Sequence, residues 1–241
     1  MRITAIRATP VNLPLVAPYT WALGRHPGFS KTIVEVDTDT GLTGLGEAPS
    51  AAEAAVVESQ LAPRLVGRDA LDIAALESLC IPEVKTSVNT DDGGVAKAFG
   101  AVEMALFDLR GKAWGVPLST LLGGVVRDGV RFSEYFAFRG RVGEHGGEST
   151  PDDLARYCLA MAERHGSTVF EGKLSVVDPL LAIEVVRVLR DRLGPAAVLR
   201  LDSNMAYSLP TAIRIARAIE PCDVRNWEEP VGSYEEMARL R

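Results

Sequence analysis

Three charged side chains stand at the ends of three consecutive strand-like segments: Lys173, Asp202 and Glu228. They are 29 and 26 residues apart (202 − 173 and 228 − 202), which is about the length of one strand–helix unit of a parallel barrel. If the segments are adjacent parallel strands, their carboxyl ends meet at one rim, where barrel enzymes carry out their chemistry. A lysine and two carboxylates at such a rim predict a hard divalent metal ion with a base beside it.

Asp202 and Glu228 are the candidate metal ligands, because Mg²⁺ prefers oxygen donors and is often held by carboxylates, waters and substrate. Either carboxylate alone has a simpler interpretation, in which it caps the next helix or pairs with an arginine such as Arg200. Their recurrence at the same position of successive units favours the metal site.

Two further residues are candidate catalytic groups. A lysine beside a divalent cation and partly removed from water, as expected for Lys173, can act as a general base. Asn204 follows Asp202 by two residues and is placed to donate a hydrogen bond to a substrate oxygen. The alternatives are a solvated rim lysine and an asparagine that shapes a loop.

Candidate substrate-binding residues lie in two places. A polar, aromatic loop predicted over Tyr19–Ser30 carries Trp21, Arg25 and His26, and loops of this composition are often functional. The alternative is an ordinary surface loop. Glu134 and Tyr135 lie in the first strand-like segment of the second half and are candidates to line the site, although strand alternation turns only one of the two side chains inward.

The first half of the chain reads as an α+β unit. Alternating segments predict an antiparallel meander of three strands, and later apolar spacing of three to four residues predicts a helix with one buried face. Gly44-Leu45-Gly46 resembles part of a phosphate loop, but the following residues do not fit the helix of a nucleotide motif. The strands are expected at Ile3–Leu15, Lys31–Asp37 and Leu42–Glu47, and the helix at Val95–Ala113, with Val102, Ala105, Leu106 and Leu109 buried.

The second half alternates strands with helices of 10–15 residues, a pattern typical of a parallel sheet. The expected domains are residues 1–125 and 126–241, with Gly140–Gly147 as a loop after the first strand of the second domain. The strands are expected at Arg131–Phe138, Thr168–Leu174, Ala197–Asp202 and Asp223–Glu228, and the helices at Pro151–Arg164, Pro179–Leu193, Leu209–Ile219 and from Ser233.

Four strand–helix units account for residues 131–241, whereas a closed eight-fold barrel needs roughly 200–250 residues. An open half-barrel exposes a parallel edge and the inner faces of its strands. We therefore expect a truncated product, a fragment, or a half completed by another chain, and a homo-oligomer formed through the open edge.

Composition narrows the class of protein. The net charge is −6 with no basic cluster, which argues against nucleic acid and against an anionic membrane surface. Three scattered cysteines exclude a disulfide framework and fit a reducing compartment. The N-terminus lacks the apolar core of a signal peptide, and no apolar segment approaches the roughly 18 residues of a membrane span. We expect a cytoplasmic protein.

Four segments of the chain form recognisable motifs. They are Gly-Leu-Thr-Gly-Leu-Gly-Glu at 41–47, the segment from Ala101 to Gly124, Leu-Asp-Ser-Asn-Met-Ala-Tyr-Ser at 201–208, and Trp-Glu-Glu-Pro at 227–230. With these motifs the entire chain resembles the mandelate racemase and muconate-lactonizing branch of the enolase superfamily. The resemblance implies an α+β capping domain followed by the first half of a (β/α)7β barrel of the TIM type.

The family resemblance also implies a function: Mg²⁺-dependent removal of the proton α to a carboxylate, with the cation stabilising the resulting enediolate. Asp202 and Glu228 would be the first two metal ligands. Lys173 would be the second lysine of a Lys-x-Lys pair, whose first position holds Glu171, a departure from the family. The third ligand would lie about 25 residues beyond Glu228, roughly one further unit along, and a His–Asp pair later still, so we expect the 241 residues alone to be inactive.

Asp202 and Asn204, together with Ser-Glu-Tyr-Phe-Ala-Phe-Arg at 133–139, are most similar to sugar-acid dehydratases of the glucarate type. The implied partner is a small carboxylate, an acid sugar, and the implied enzyme is a lyase. A racemase, epimerase or cycloisomerase of the same branch is an alternative, and a non-catalytic half-barrel that serves assembly is another.

Overall fold

A computed structural model describes residues 1–81, 93–174 and 178–240, and these fall into two compact units. Unit 1 comprises Met1–Pro14 and Gly28–Asp128, and unit 2 comprises Leu15–Pro27 and Gly129–Arg241. The segment Leu15–Pro27, which the sequence assigned to the first domain, is therefore part of the second unit.

Unit 1 is built on a three-stranded sheet of β1 (Ile3–Trp21), β2 (Gly24–Thr38) and β3 (Thr43–Ala48), in that order, and the ends of β1 and β2 within residues 15–27 belong to unit 2. Strands β2 and β3 are antiparallel from Thr32↔Ala48 to Asp37↔Thr43, and the predicted meander is confirmed. The helices of unit 1 are α1 (Glu53–Val56), α2 (Ala62–Leu65), α3 (Ile73–Cys80), α4 (Gly93–Trp114) and α5 (Leu118–Leu121), with a π-helical turn at Val57–Leu61 between α1 and α2.

The core of unit 1 lies between the sheet and α4. The four positions expected on one face of this helix are fully buried: Val102, Ala105, Leu106 and Leu109. Gly44 and Gly46 make the close approach possible, since a Cβ on Gly46 would lie 1.9 Å from the Ala101 carbonyl oxygen. The Gly-Leu-Gly sequence is thus explained by packing of β3 on α4.

Unit 2 contains a four-stranded parallel sheet in which strands that follow each other along the chain are neighbours. The strands alternate with helices, as predicted. This is the arrangement of the first half of a (β/α) barrel. The strands are β4 (Glu134–Phe136), β5 (Val169–Lys173), β6 (Val198–Asp202) and β7 (Val224–Glu228), and the helices are α6 (Pro151–His165), α7 (Pro179–Leu193), α8 (Leu209–Ile219) and α9 (Tyr234–Leu240), with a 3₁₀ turn at Glu220–Cys222 before β7.

Local signals fix the helix ends. Thr150 caps α6 in a capping box with Asp153, and Asp178 caps α7 by accepting from the Leu180 N–H. Both helices carry proline at their first position, where the missing N–H is harmless.

The two faces of the parallel sheet differ in character. One face packs on the helices and is apolar, with Phe136, Phe170, Leu199 and Leu201 buried. The side chains on the opposite face are in register and polar. They are Tyr135, Glu171, Arg200 and Asn226 in one layer, followed by Lys173, Asp202 and Glu228 in the layer at the carboxyl ends of the strands.

The three cysteines are free and buried, and burial raises the pKa of Cys158 to about 12. Among the described residues, no helix combines the length and the apolar character needed to cross a membrane.

Candidate active site

Lys173, Asp202 and Glu228 are the last residues of three neighbouring parallel strands and are direct register partners across the sheet. The Lys173 ammonium contacts Asp202 Oδ2, and the side chains of both residues are largely buried, 13% and 12% exposed. Glu228 is exposed. The structure thus places at one rim the three residues whose spacing drew attention in the sequence.

Hydrogen bonds beyond the strand ends hold this rim together. The Leu174 N–H donates to the Asp202 carbonyl (2.8 Å), and the Ser203 N–H donates to the Glu228 carbonyl (3.0 Å). The buried Ser203 hydroxyl donates to the Leu174 carbonyl and accepts from Trp227 Nε1 at 2.7 Å. Nothing in the sequence had singled out Ser203 or Trp227 for this positioning role.

Asn204 folds back on Asp202. Its backbone N–H donates to Asp202 Oδ1 (2.9 Å) and its side-chain Nδ2 donates to Asp202 Oδ2 (3.2 Å). Its Oδ1 atom is buried and has no hydrogen-bond partner. The sequence assigned Asn204 as a donor to substrate. In the structure one N–H of that amide is engaged by Asp202, and the amide oxygen is left without a partner.

Backbone strain is concentrated beside these residues. Asn204, Met205 and Glu229 have φ of 44°, 60° and 42°, in the left-handed region that disfavours residues with a Cβ. The Met205 N–H donates to the Glu229 carbonyl (2.7 Å), which links the strained turns after β6 and β7. Strain of this kind is typical of functional sites.

The predicted loop Tyr19–Ser30 is wrong as a loop: β1 continues to Trp21, β2 starts at Gly24, and only Ala22 and Leu23 form the turn. A long-range pairing stabilises this hairpin tip, because Tyr19 bridges Arg139 in antiparallel fashion. The sequence around residues 19–30 carries no local sign of that partner.

The hairpin tip brings aromatic rings to the rim. Lys173 Nζ lies 5.8 Å from the centroid of the Trp21 ring. His26 stacks on Tyr19 at 5.3 Å and lies 6.0 Å from Trp21, and Tyr19 meets Tyr135 edge-on at 6.0 Å. Tyr19 is thus a site residue that the sequence analysis did not select, although alternation along β1 places it on the same face as Trp21.

The structure brings three of the four predicted substrate-binding residues together and leaves the fourth apart. Trp21, His26 and Tyr135 belong to one aromatic cluster, whereas Arg25 is exposed and its guanidinium lies beside Gly140. Burial, followed by the charges of Tyr19, Asp202 and Glu171, raises the pKa of Tyr135, so its hydroxyl stays protonated as a donor.

Glu171 and Arg200 form the layer beneath the rim and pair at 3.6 Å. The simpler interpretation of Asp202, in which it pairs with Arg200, therefore does not describe the structure. Glu171, at the first position of the lysine pair, has an arginine partner of its own.

The donor atoms fit part of a magnesium shell. Asp202 and Glu228 offer hard carboxylate oxygens on adjacent strands. Among the described residues, no group of three or more acidic, histidine or cysteine side chains is arranged to hold a metal ion. The two carboxylates can hold a cation only together with waters, substrate or further ligands.

A cavity of about 590 Å³ lies at the opposite, amino-terminal end of β4 and β5. It is lined in part by Glu134, whose carboxylate accepts from Ser167 Oγ and contacts His165 Nδ1, each at 2.7 Å. These two hydrogen bonds lower the pKa of Glu134, and the bond from Ser167 has the larger effect. The cavity does not include Lys173, Asp202 or Glu228, and the pairing ties the end of α6 to the start of β4.

Two family models match the chain. Residues 3–123 match the mandelate racemase / muconate lactonizing enzyme N-terminal domain, and residues 153–241 match the enolase C-terminal domain-like family.

Individual proteins with similar sequences or folds agree with these matches. A probable glucarate dehydratase of Streptomyces coelicolor is 31% identical over 90% of this chain and 55% of its own length. A chloromuconate cycloisomerase of Cupriavidus pinatubonensis is 32% identical over 100% of this chain and 63% of its own. An enolase from Pseudomonas fluorescens, crystallised with magnesium, potassium and tartrate, superposes with a TM-score of 0.84 at 27% identity, over 99% of this chain and 60% of its own. The chain thus spans somewhat over half the length of these proteins.

Proposed function

Because the chain belongs to the mandelate racemase and muconate lactonizing enzyme branch of the enolase superfamily, we propose that it carries the metal-binding and base-bearing part of a site that removes the proton α to a carboxylate. The register of Lys173, Asp202 and Glu228 on three adjacent strands is the observation that carries the proposal. The proposed substrate is an acid sugar, which loses its α proton to a base and then the neighbouring hydroxyl as water, with the second proton coming from an acid such as the His–Asp pair that the family implies.

Asp202 and Glu228 would hold Mg²⁺ in this proposal. When bound, Mg²⁺ supplies positive charge that stabilises the negative charge growing on the substrate carboxylate. Magnesium and tartrate in the Pseudomonas fluorescens structure support both a cation and a small carboxylate ligand at such a site.

As a neutral amine, released from its ion pair with Asp202, Lys173 would accept the α proton at Nζ. Its position is defined from two sides, by the face of Trp21 and by the carboxylate of Asp202. A base must be held within hydrogen-bond reach of the proton that it removes, and this confinement serves that purpose.

Asn204 Oδ1 would accept a hydrogen bond from a substrate hydroxyl, which would satisfy an otherwise orphaned buried oxygen. Trp21, His26 and Tyr135 would line the side of the site formed by the hairpin tip, and Tyr135 would donate through its hydroxyl. Arg25 would have to swing away from Gly140 to reach substrate.

We propose that the 241-residue polypeptide does not complete turnover by itself. The third ligand and the His–Asp pair that the family implies are not among these residues. Turnover of glucarate or galactarate by the polypeptide with Mg²⁺ would contradict this part of the proposal.

A calorimetric titration with Mg²⁺ tests the metal site directly. We expect weak binding by the chain and its loss in both Asp202→Asn and Glu228→Gln. Glu235→Gln, an exposed change on α9, is the matched control and should bind like the unaltered chain. If all four proteins behave alike, Asp202 and Glu228 are not the ligands. No binding by any of them would favour a non-catalytic half-barrel that serves assembly.

A cycloisomerase is the second candidate, supported by the 32% identity to the chloromuconate enzyme over this whole chain. A racemase or epimerase of the same branch is a further possibility. Assays of an enzyme that contains this chain with a muconate and with an acid sugar would separate the first two activities, since only the second substrate can lose water.

We further propose a cytoplasmic protein that forms homo-oligomers. In the described part of unit 2 the sheet ends at β4 and β7, and an unpaired parallel edge favours association. Sedimentation at several concentrations tests this, and a concentration-independent monomer would contradict it.

A further inference from the structure

The segment Phe138–Gly140, which follows β4, is hydrogen-bonded to a neighbouring segment on each side in unit 2. On one side it receives the hairpin tip: the Thr20 N–H donates to the Phe138 carbonyl (2.9 Å), and the Gly140 N–H donates to the Pro18 carbonyl (2.8 Å). On the other side the chain returns on itself through Arg139 and Glu148. The predicted loop Gly140–Gly147 therefore lies within a hydrogen-bonded structure.

Arg139 lies at the centre of this arrangement and is fixed by its backbone on both sides. It bridges Tyr19 of the hairpin tip. Its N–H donates to the Glu148 carbonyl (3.0 Å), and its carbonyl accepts from the Gly147 N–H (3.0 Å).

The Arg139 side chain holds the returning segment, Gly147–Glu148. Its Nε and Nη2 donate to the two carboxylate oxygens of Glu148 at 2.8 and 2.7 Å, a bidentate pair. The guanidinium also lies 4.3 Å from the centroid of the Tyr157 ring, on α6. Arg139 and Glu148 are only 25% and 13% exposed, so water screens this pair less than an open surface pair.

Two glycines allow the hairpin to pack closely on this segment. A Cβ on Gly140 would lie 3.3 Å from Pro18 Cγ, and a Cβ on Gly146 would lie 2.6 Å from Ala17 Cβ. The hairpin therefore packs tightly on both segments, at Gly140 and at Gly146.

We propose that Arg139 is a positioning residue for the candidate active site. Through Glu148 and Tyr157 it anchors the segment Phe138–Gly140, on which the hairpin tip rests, and so it holds Trp21 over Lys173 and Tyr19 against Tyr135. Its guanidinium partners, Glu148 and Tyr157, lie outside the rim and the aromatic cluster. The inference rests on the proposed function for its meaning, but its geometry is tested without metal or substrate.

The test compares Arg139→Met with Arg141→Met. Arg141 is an exposed arginine of the same segment whose guanidinium lies beside Gly147, so it is a matched control. Trypsin cleavage after the exposed Arg25 reports release of the hairpin tip. We expect about tenfold faster cleavage in Arg139→Met, the effect of losing a charge-assisted pair, and less than a twofold change in Arg141→Met.

A spectroscopic measurement locates the effect at the site. Acrylamide quenching is measured with and without Trp21→Phe in each background, so that Trp114 and Trp227 cancel. Quenching of Trp21 should at least double in Arg139→Met and stay unchanged in Arg141→Met. Equal cleavage and equal quenching in the two variants would overturn the proposal.

Two further variants keep the test decisive if Arg139→Met does not fold. Glu148→Gln preserves the shape of the side chain but removes its charge. It should speed cleavage after Arg25 and increase quenching of Trp21, each by less than Arg139→Met. The exchange Arg139→Glu with Glu148→Arg should restore at least part of the protection at Arg25. Absence of both effects overturns the proposal.

The outcomes separate this inference from the proposed function. Loss of Mg²⁺ binding in Asp202→Asn with no effect of Arg139→Met on Trp21 would reject the inference alone. A Trp21 effect in a chain that binds no Mg²⁺ would reject the metal site alone.

Discussion

Lys173 and Asp202 end adjacent parallel strands, and the lysine ammonium contacts the carboxylate that we propose as a metal ligand. A bound cation and the Lys173 ammonium would therefore compete for the same oxygen. The positive charge of Lys173 compensates the negative charge of the largely buried Asp202 carboxylate when no cation is present.

Removal of the lysine charge should strengthen Mg²⁺ binding. We expect Lys173→Met to tighten it about 3- to 10-fold, the effect of deleting one partly buried competing charge. The more exposed lysine–aspartate pair Lys112–Asp108 in unit 1 supplies the control, Lys112→Met, which should leave Mg²⁺ affinity unchanged. Calorimetry measures both, and weaker binding in Lys173→Met would contradict the competition.

The close approach of β3 to α4 should make Gly46 intolerant of any side chain. Gly46→Ala places a Cβ 1.9 Å from the Ala101 carbonyl oxygen, so the strand or helix must shift, at a cost of about 3 kcal/mol. Gly100, within α4, has open space, and Gly100→Ala should stabilise by roughly 0.5–1 kcal/mol. Urea unfolding followed by circular dichroism checks both signs. Similar unfolding midpoints for the two variants would argue against the packing explanation.

Among the three arginines of α7, Arg190 should cost the most stability when it is replaced. Its guanidinium donates to four backbone carbonyls, those of Cys222, Gly194, Ala197 and Asp223, at 2.7–3.2 Å. Arg190→Met should lower the free energy of unfolding by about 2–4 kcal/mol because these acceptors lose their donor. Arg187→Met removes a single bond to the Ala218 carbonyl and is the control. Arg190→Lys should recover only part of the loss, since an ammonium cannot span the same fork.

The capping box of α6 should make stability depend on acid pH. The Thr150 hydroxyl and the backbone N–H groups of Ser149 and Thr150 lower the pKa of Asp153 from 3.8 to about 2. A carboxyl whose pKa is depressed on folding stabilises above the unfolded value, so this contribution is present above pH 3.8 and is lost as pH falls toward 2. Asp153→Asn should lower the urea midpoint at pH 6, and its difference from the unaltered chain should shrink below pH 4. Asp152→Asn, at the neighbouring exposed position, should show no such convergence.

The helices of unit 2 were predictable because their signals are local. Pro179–Leu193 and Leu209–Ile219 have the bounds that proline in the first helical turn and apolar spacing indicate. The parallel sheet and the convergence of Lys173, Asp202 and Glu228 followed from the regular spacing of the units. That these residues bind metal and substrate stays a prediction.

What escaped the sequence depends on contacts between distant segments. The hairpin tip was taken for a loop because its partner, Phe138–Gly140, lies more than 100 residues away. The purpose of Gly44 and Gly46 becomes visible only against α4, and the role of Arg139 only against Glu148, Tyr157 and Tyr19. Periodicity carries no information about such partners.

The assignment of Leu15–Pro27 to the second unit affects how this protein can be recombined with its relatives. A chimera joined once near residue 125 would combine the hairpin tip of one parent with residues 138–148 of the other. Tyr19 and Arg139, or Ala17 and Gly146, would then meet partners with which they had not been selected. Functional exchange between family members should therefore succeed when residues 15–27 and 138–148 travel together, even though they lie on opposite sides of the boundary that the linear sequence indicates.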